Sequence, residues 1–181
     1  QVTPDLAVFA KALSNGYPMG AVIGQTSEMK FFERTFISSA YWSESIGPTA
    51  ALAAVEKMMN SDVPAHLHRI GRCFMERWLE LGQSCQLPTF VKGRPELVQI
   101  GFEHEQANRI MTLFTRLMLQ RGIMAGSSFN PTFAHQDRHL DHYFEKATVC
   151  FDQINQQLKS GQFYDQEAFE TKHTGFARLV S

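Results

Sequence analysis

The fold of this chain turns on PDLAVFAKALSNGYPMGAVIG, residues 4–24. Asp5, Leu6, Ala7, Val8, Phe9 and Ala10 form an apolar run too short for periodicity to separate a strand from a single helical turn. Residues 13–17 read as a loop. Ser14, Asn15 and Gly16 are turn formers, and Pro18 disfavours helix at Tyr17. Gly20, Ala21, Val22, Ile23 and Gly24 then read as a buried strand bounded by glycines. Lys11 stands between the run and the loop. Most lysines are solvated. A partly buried one has its pKa lowered toward neutrality, and only the neutral amine attacks a carbonyl. The residue types alone leave a surface lysine and a reactive amine both open.

Downstream, Thr26, Ser27 and Glu28 read as a helix start. FISSAYWSES, residues 36–45, reads as an extended or looped segment. The alanine-rich run from Thr49 is a helix with Pro48 near its first turn. A second, amphipathic helix covers residues 63–82, with Leu67, Ile70, Phe74, Trp78 and Leu81 on one face. Between the two helices, Asn60, Ser61 and Asp62 supply cap candidates. Strands over 89–91 and 97–102 follow, joined by KGRPE. A helix over 107–121 carries Ile110, Leu113, Phe114, Leu117 and Met118 on one face and stops at Gly122. Residues 123–125 read as a short strand, 126–135 as loop and 140–158 as a last long helix; the polar tail runs over 162–181. This order predicts an α/β layer arrangement.

The net charge is -1 and the basic residues are scattered, so neither nucleic acid nor an anionic membrane is an expected partner. No apolar run reaches the roughly 18–20 residues of a membrane span, and QVTPDL is not a signal peptide. Cys73, Cys85 and Cys150 are odd in number and lack metal-type spacing, which fits a reducing cytoplasm. Cys73 and Cys150 fall in helical patterns as core residues.

Three further groups invite a chemical reading. His135, His139 and His142 are spaced by four and three, but only the last two are expected to be helical. Their polar neighbours Gln136, Asp137, Arg138 and Asp141 favour structural or surface histidines over a metal site, and no metal is expected. His104–Glu105 lacks the second histidine of a zinc protease. Ser38, Ser39, Ser43 and Ser45 are either loop hydroxyls or phosphate ligands. SESIGPTAAL, residues 43–52, weakly fits the template of phosphate at a helix start.

Taken whole, PDLAVFAKALSNGYPMGAVIG resembles the cofactor-lysine segment of class III, fold-type I pyridoxal-phosphate enzymes. FISSAYWSESIGPTAALAAVEKM is similar to the loop and alanine-rich helix that follow in that family. RGIMAGSSFNPTFAHQDRHLDHYFEKA is similar to the small domain of its glutamate-1-semialdehyde aminomutase branch. The resemblance implies the C-terminal part of a fold-type I transferase. Residues 1–60 would end the large cofactor domain, and residues 61–181 would form a small α/β domain. It implies pyridoxal 5'-phosphate, with Lys11 forming the internal aldimine, and aminotransferase or aminomutase chemistry on a small amino donor and acceptor. It implies a homodimer in which a loop threonine reaches the neighbouring subunit's cofactor phosphate. That threonine falls at Ala40 here, leaving Ser39, or Ser38, to supply the hydroxyl. The arginine that often holds a substrate carboxylate in this family has no counterpart near residue 130, and Arg138 is expected to face solvent. The other cofactor contacts would lie upstream of Gln1, so this stretch alone is expected to be inactive. The alternative is a non-catalytic dimerisation or binding module that keeps the fold.

Overall fold

A computed structural model describes residues 2–160 and Thr171. The expected tail over 162–181 lies outside the described residues, apart from Thr171. The architecture is α/β, in two compact units divided between Val63 and Pro64.

In the first unit, β1 (Leu6–Phe9) and β2 (Ala21–Gly24) form an antiparallel hairpin, with Leu6 opposite Gly24 and Phe9 opposite Ala21. The ambiguous apolar run is therefore a strand. Its connection opens with a 3-10 turn over Lys11–Leu13. A short helix α1 (Thr26–Met29) follows at the expected start. Helix α2 (Ile46–Ser61) begins three residues before Thr49, with Pro48 in its first turn. It ends at Asp62, whose φ of 42° is left-handed and breaks the helical path.

β2 is a strand as expected, but it is not buried. Val22 and Ile23 are both exposed, because β1 is its one strand partner among the described residues. The same holds across this unit. Phe36, Trp42, Leu52 and Met59 are exposed, while Ala51 and Val63 are its buried apolar side chains.

The second unit has a core of its own. Helix α3 (Val63–Ser84) points Ile70, Phe74, Trp78 and Leu81 inward at helical spacing. Strands β3 (Thr89–Arg94) and β4 (Leu97–Phe102) pair antiparallel, with Arg94 opposite Leu97. β3 runs further than the sequence suggested, so the turn shrinks to Pro95 and Glu96. Along β4, Val98, Ile100 and Phe102 are buried while Leu97 and Gln99 are exposed, the alternation of a half-covered sheet. Helices α4 (Ala107–Leu119) and α5 (Asp137–Ser160) complete the layer. Gly122 terminates α4's connection with a φ of 78°.

Residues 123–125 form no strand. The Ile123 N–H is bonded to the Met118 carbonyl and the Ala125 N–H to the Ile123 carbonyl, so these donors are used locally. The third strand is instead β5 (Ser128–Phe129), inside the expected loop, pairing with Gln99 and Val98 of β4. The sheet order is β3-β4-β5.

The rings of Trp78, Phe102, Phe114 and Phe151 meet at centroid distances of 5.3 to 6.1 Å, mostly edge to face. Cys150 is buried among them, and Cys73 packs at the margin of the core. Arg69–Asp137 and Arg77–Asp141, each at 2.7 Å, tie α3 to the start of α5.

Candidate functional site

Lys11 lies just past the end of β1, where the hairpin hands over to its connection. Its backbone has a φ of 53°, in the left-handed region that non-glycine residues enter at a cost. Three local bonds hold it there. The Lys11 carbonyl accepts from the Ser14 N–H and, at 3.2 Å, from the Asn15 N–H; the Leu13 N–H donates to the Ala10 carbonyl. Ser14 is buried, and its hydroxyl donates to the Tyr17 carbonyl, closing the loop. The sequence marked Ser14 only as a turn former; its clamping role depends on burial. The Lys11 side chain is exposed rather than partly buried. Its amine makes no hydrogen bond or ion pair with the described residues, so it is open to a ligand.

The loop ahead of α2 carries the expected hydroxyls. Ser39 Oγ accepts the Tyr41 N–H at 3.2 Å, which leaves its own O–H free to donate. Ser38 is exposed and its hydroxyl is unengaged by the described residues. Ala40 brings no polar atom. Ser39 lines a concavity of about 320 Å³ with Pro18, Met19, Gly20, Trp42 and Glu44. Lys11 and Ser38 are outside that lining. The two segments still share one scaffold: a Cβ on Gly47, in α2's first turn, would come within 2.8 Å of the Pro18 carbonyl oxygen.

The start of α2 departs from the phosphate template. The Glu44 carboxylate accepts the Ile46 N–H at 2.7 Å and the Gly47 N–H at 3.2 Å. The chain's own carboxylate thus takes the place an external anion would occupy. Glu44 lies within residues 43–52, but the sequence singled out only the serines of that segment, as phosphate ligands or loop hydroxyls.

His135 and His139 are each engaged by the local backbone. His135 Nδ1 accepts the Thr132 N–H at 2.9 Å, and His139 Nδ1 accepts the Gln136 N–H at 3.0 Å. Those lone pairs are no longer available to a metal. No group of three or more His, Cys, Asp or Glu among the described residues is placed to hold one. Burial, and then the neighbouring charge of His139, holds His135 below the ordinary 6.5. Arg138 is exposed, as expected.

Comparisons with known proteins bear on the family and the fold. A profile of the aminotransferase class-III family matches residues 1–151. The chain is 28% identical over 147 residues to a 2'-deamino-2'-hydroxyneamine transaminase of Streptomyces kanamyceticus, covering 80% of this chain and 37% of that protein. It is 23% identical over 171 residues to a glutamate-1-semialdehyde 2,1-aminomutase of Sulfurihydrogenibium sp. (strain YO3AOP1), covering 85% of this chain and 40% of that one. Its fold is similar to that of the Sphingopyxis sp. MTA144 FumI protein, solved in its PLP internal aldimine form. The TM-score is 0.80 at 19% identity, over 88% of this chain and 39% of FumI. The chain therefore spans about two fifths of the length of the relatives it matches. With the lysine-bearing hairpin, the hydroxyl loop and most of the second unit inside the matched residues, the chain belongs to the class-III aminotransferase family.

Proposed function

We propose that this chain is part of a pyridoxal-phosphate-dependent aminotransferase or aminomutase acting on a small amino donor and an oxo acceptor. Lys11, an unpaired amine on a strained, locally braced backbone, carries this reading. Strain of this kind concentrates at functional sites. The residues present fit the cofactor: one free amine for its aldehyde, and free hydroxyls on Ser39 and Ser38 for its phosphate. When bound, pyridoxal phosphate supplies an electron sink for the substrate carbanion. Lys11 Nζ would hold the cofactor's aldehyde carbon. When freed by the incoming amine, it would serve as the base that takes the proton from the substrate carbon bonded to nitrogen and then as the acid that returns it in a 1,3-shift. Ser39 Oγ–H, with Ser38 beside it, donates to phosphate in a homodimer, toward the neighbouring subunit's site.

Residues 1–60 would complete a larger cofactor domain, and 61–181 the small domain. The exposed apolar side chains of the first unit support this, since a surface of that kind is ordinarily covered by further protein. A cytoplasmic setting suits the free thiols of Cys73, Cys85 and Cys150.

The test uses the full-length protein, loaded with pyridoxal phosphate, reduced with borohydride and mapped by peptide mass. The wild type is expected to carry the added mass on Lys11, and Lys11→Ala to lose it along with essentially all activity. An adduct that persists on another lysine in Lys11→Ala overturns the assignment. A wild-type protein that takes up no cofactor favours the non-catalytic module.

A further inference from the structure

We propose that the concavity ahead of α2 is a binding site for an organic ammonium ion carried on a short aliphatic chain; this goes beyond the functional reading above and does not rest on it. The walls are of two kinds. Pro18, Met19 and Pro48 are apolar, and Tyr41 and Trp42 bring aromatic rings. Among the described residues, Glu44 is the one charged side chain in the lining. Its carboxylate accepts the Ile46 and Gly47 N–H groups and forms no ion pair with a described residue. The start of α2 offsets roughly half a unit of charge, so the site stays negative. A carboxylate offers about four lone-pair positions. Two are taken by the helix amides, and the others are left to accept an ammonium N–H.

The rings act in the same direction. Trp42 is 71% exposed and Tyr41 59%. An open aromatic face attracts a cation through its quadrupole, Trp most strongly, and repels an anion. The apolar walls suit the methylene groups attached to the ammonium. The backbone carrying these groups is set before any ligand arrives. The Tyr41 N–H donates to Ser39 Oγ, the Trp42 N–H to the Ser39 carbonyl at 3.3 Å, and the Glu44 N–H to the Tyr41 carbonyl at 3.1 Å. Carboxylate and rings thus sit on one braced turn, and little backbone ordering is left to oppose binding. Phosphate on the Ser38 and Ser39 hydroxyls would add negative charge to the same loop, which a cation here offsets.

The experiment titrates the full-length protein with butylammonium chloride and, separately, with butan-1-ol, a neutral molecule of similar shape, each followed by saturation-transfer NMR on the ligand. Wild type is expected to bind butylammonium about tenfold more tightly than butanol, and added salt to shrink that difference. Glu44→Gln keeps an acceptor oxygen for the α2 amides; it is expected to lose about tenfold for butylammonium and nothing for butanol. Trp42→Leu, which leaves the helix cap intact, is expected to lose about fivefold for butylammonium. Lys11→Ala is expected to bind as wild type does, because Lys11 is outside the lining. Equal binding of the two probes, no detectable butylammonium binding, or wild-type affinity in either Glu44→Gln or Trp42→Leu overturns the proposal. So does a loss in Lys11→Ala as large as that in Glu44→Gln, which would place the cation elsewhere. Failure of pyridoxal phosphate to attach to Lys11 instead refutes the functional reading, and these titrations stand apart from it.

Discussion

His135 shows how a single side chain couples packing to pH. Its Nδ1 accepts the Thr132 N–H, and its carbonyl accepts from His66 Nε2 at 2.9 Å. Both contacts hold the segment ahead of α5, and the first requires Nδ1 without a proton. Because the folded-state pKa lies below 6.5, the unfolded chain protonates first as the pH falls. Stability from this residue is complete above the unfolded value. It is lost progressively from there down to the folded value, below which it changes no further. Urea unfolding at about pH 7.5 and about pH 5.5 should show a loss for wild type that is smaller in His135→Gln. In the sequence this histidine was one of three at near-helical spacing. Its place outside the helix was legible from the loop it follows; its bond with Thr132 was visible only once that loop was folded.

At the scale of elements, the contact between α3 and the β3–β4 turn decides the second unit's geometry. Gly71 is buried, and a Cβ there would overlap the Pro95 backbone, chiefly its carbonyl oxygen. Backbone cannot yield as a flexible side chain does. Gly71→Ala is expected to cost about 2–3 kcal/mol, in the range of overpacked cores, read as a lower denaturant midpoint with a nearly unchanged slope. The helix itself was plain from the spacing of Ile70, Phe74, Trp78 and Leu81. The need for glycine at 71 was not, because the atom it avoids belongs to a turn more than twenty residues away. β5 was missed for a related reason. A two-residue strand has no periodicity to read, and it exists because β4 offers an edge to Ser128 and Phe129.

Across the molecule, the two units differ in how completely they bury their apolar residues. The second is organised around Trp78, which is 0% exposed. Trp78→Ala is expected to destabilise by about 3–5 kcal/mol, measured by chemical unfolding, with Trp78→Phe costing less. Phe keeps ring contacts and removes an indole N–H that has no partner among the described residues. The first unit exposes Phe36 at 93% and Trp42 at 71%, along with both strands of its hairpin. An apolar dye should therefore bind this chain strongly and bind a piece covering residues 64–160 weakly. Equal dye binding by the two would contradict the assignment of the exposed surface to the first unit.

The sequence by itself determined the helices, the lysine-bearing segment as a family feature, and the family to which it points. These depend on local spacing and on short runs of adjacent residues, which a linear reading captures. Tertiary structure decided the rest: β2 left uncovered, the sheet closed by Ser128 and Phe129, Lys11 held at a left-handed φ with its amine unpaired, and Glu44 rather than a serine at the head of α2. Each of these depends on which backbone donors and acceptors remain after folding. That is settled by contacts between residues distant in the chain, or by turns whose geometry no single residue dictates.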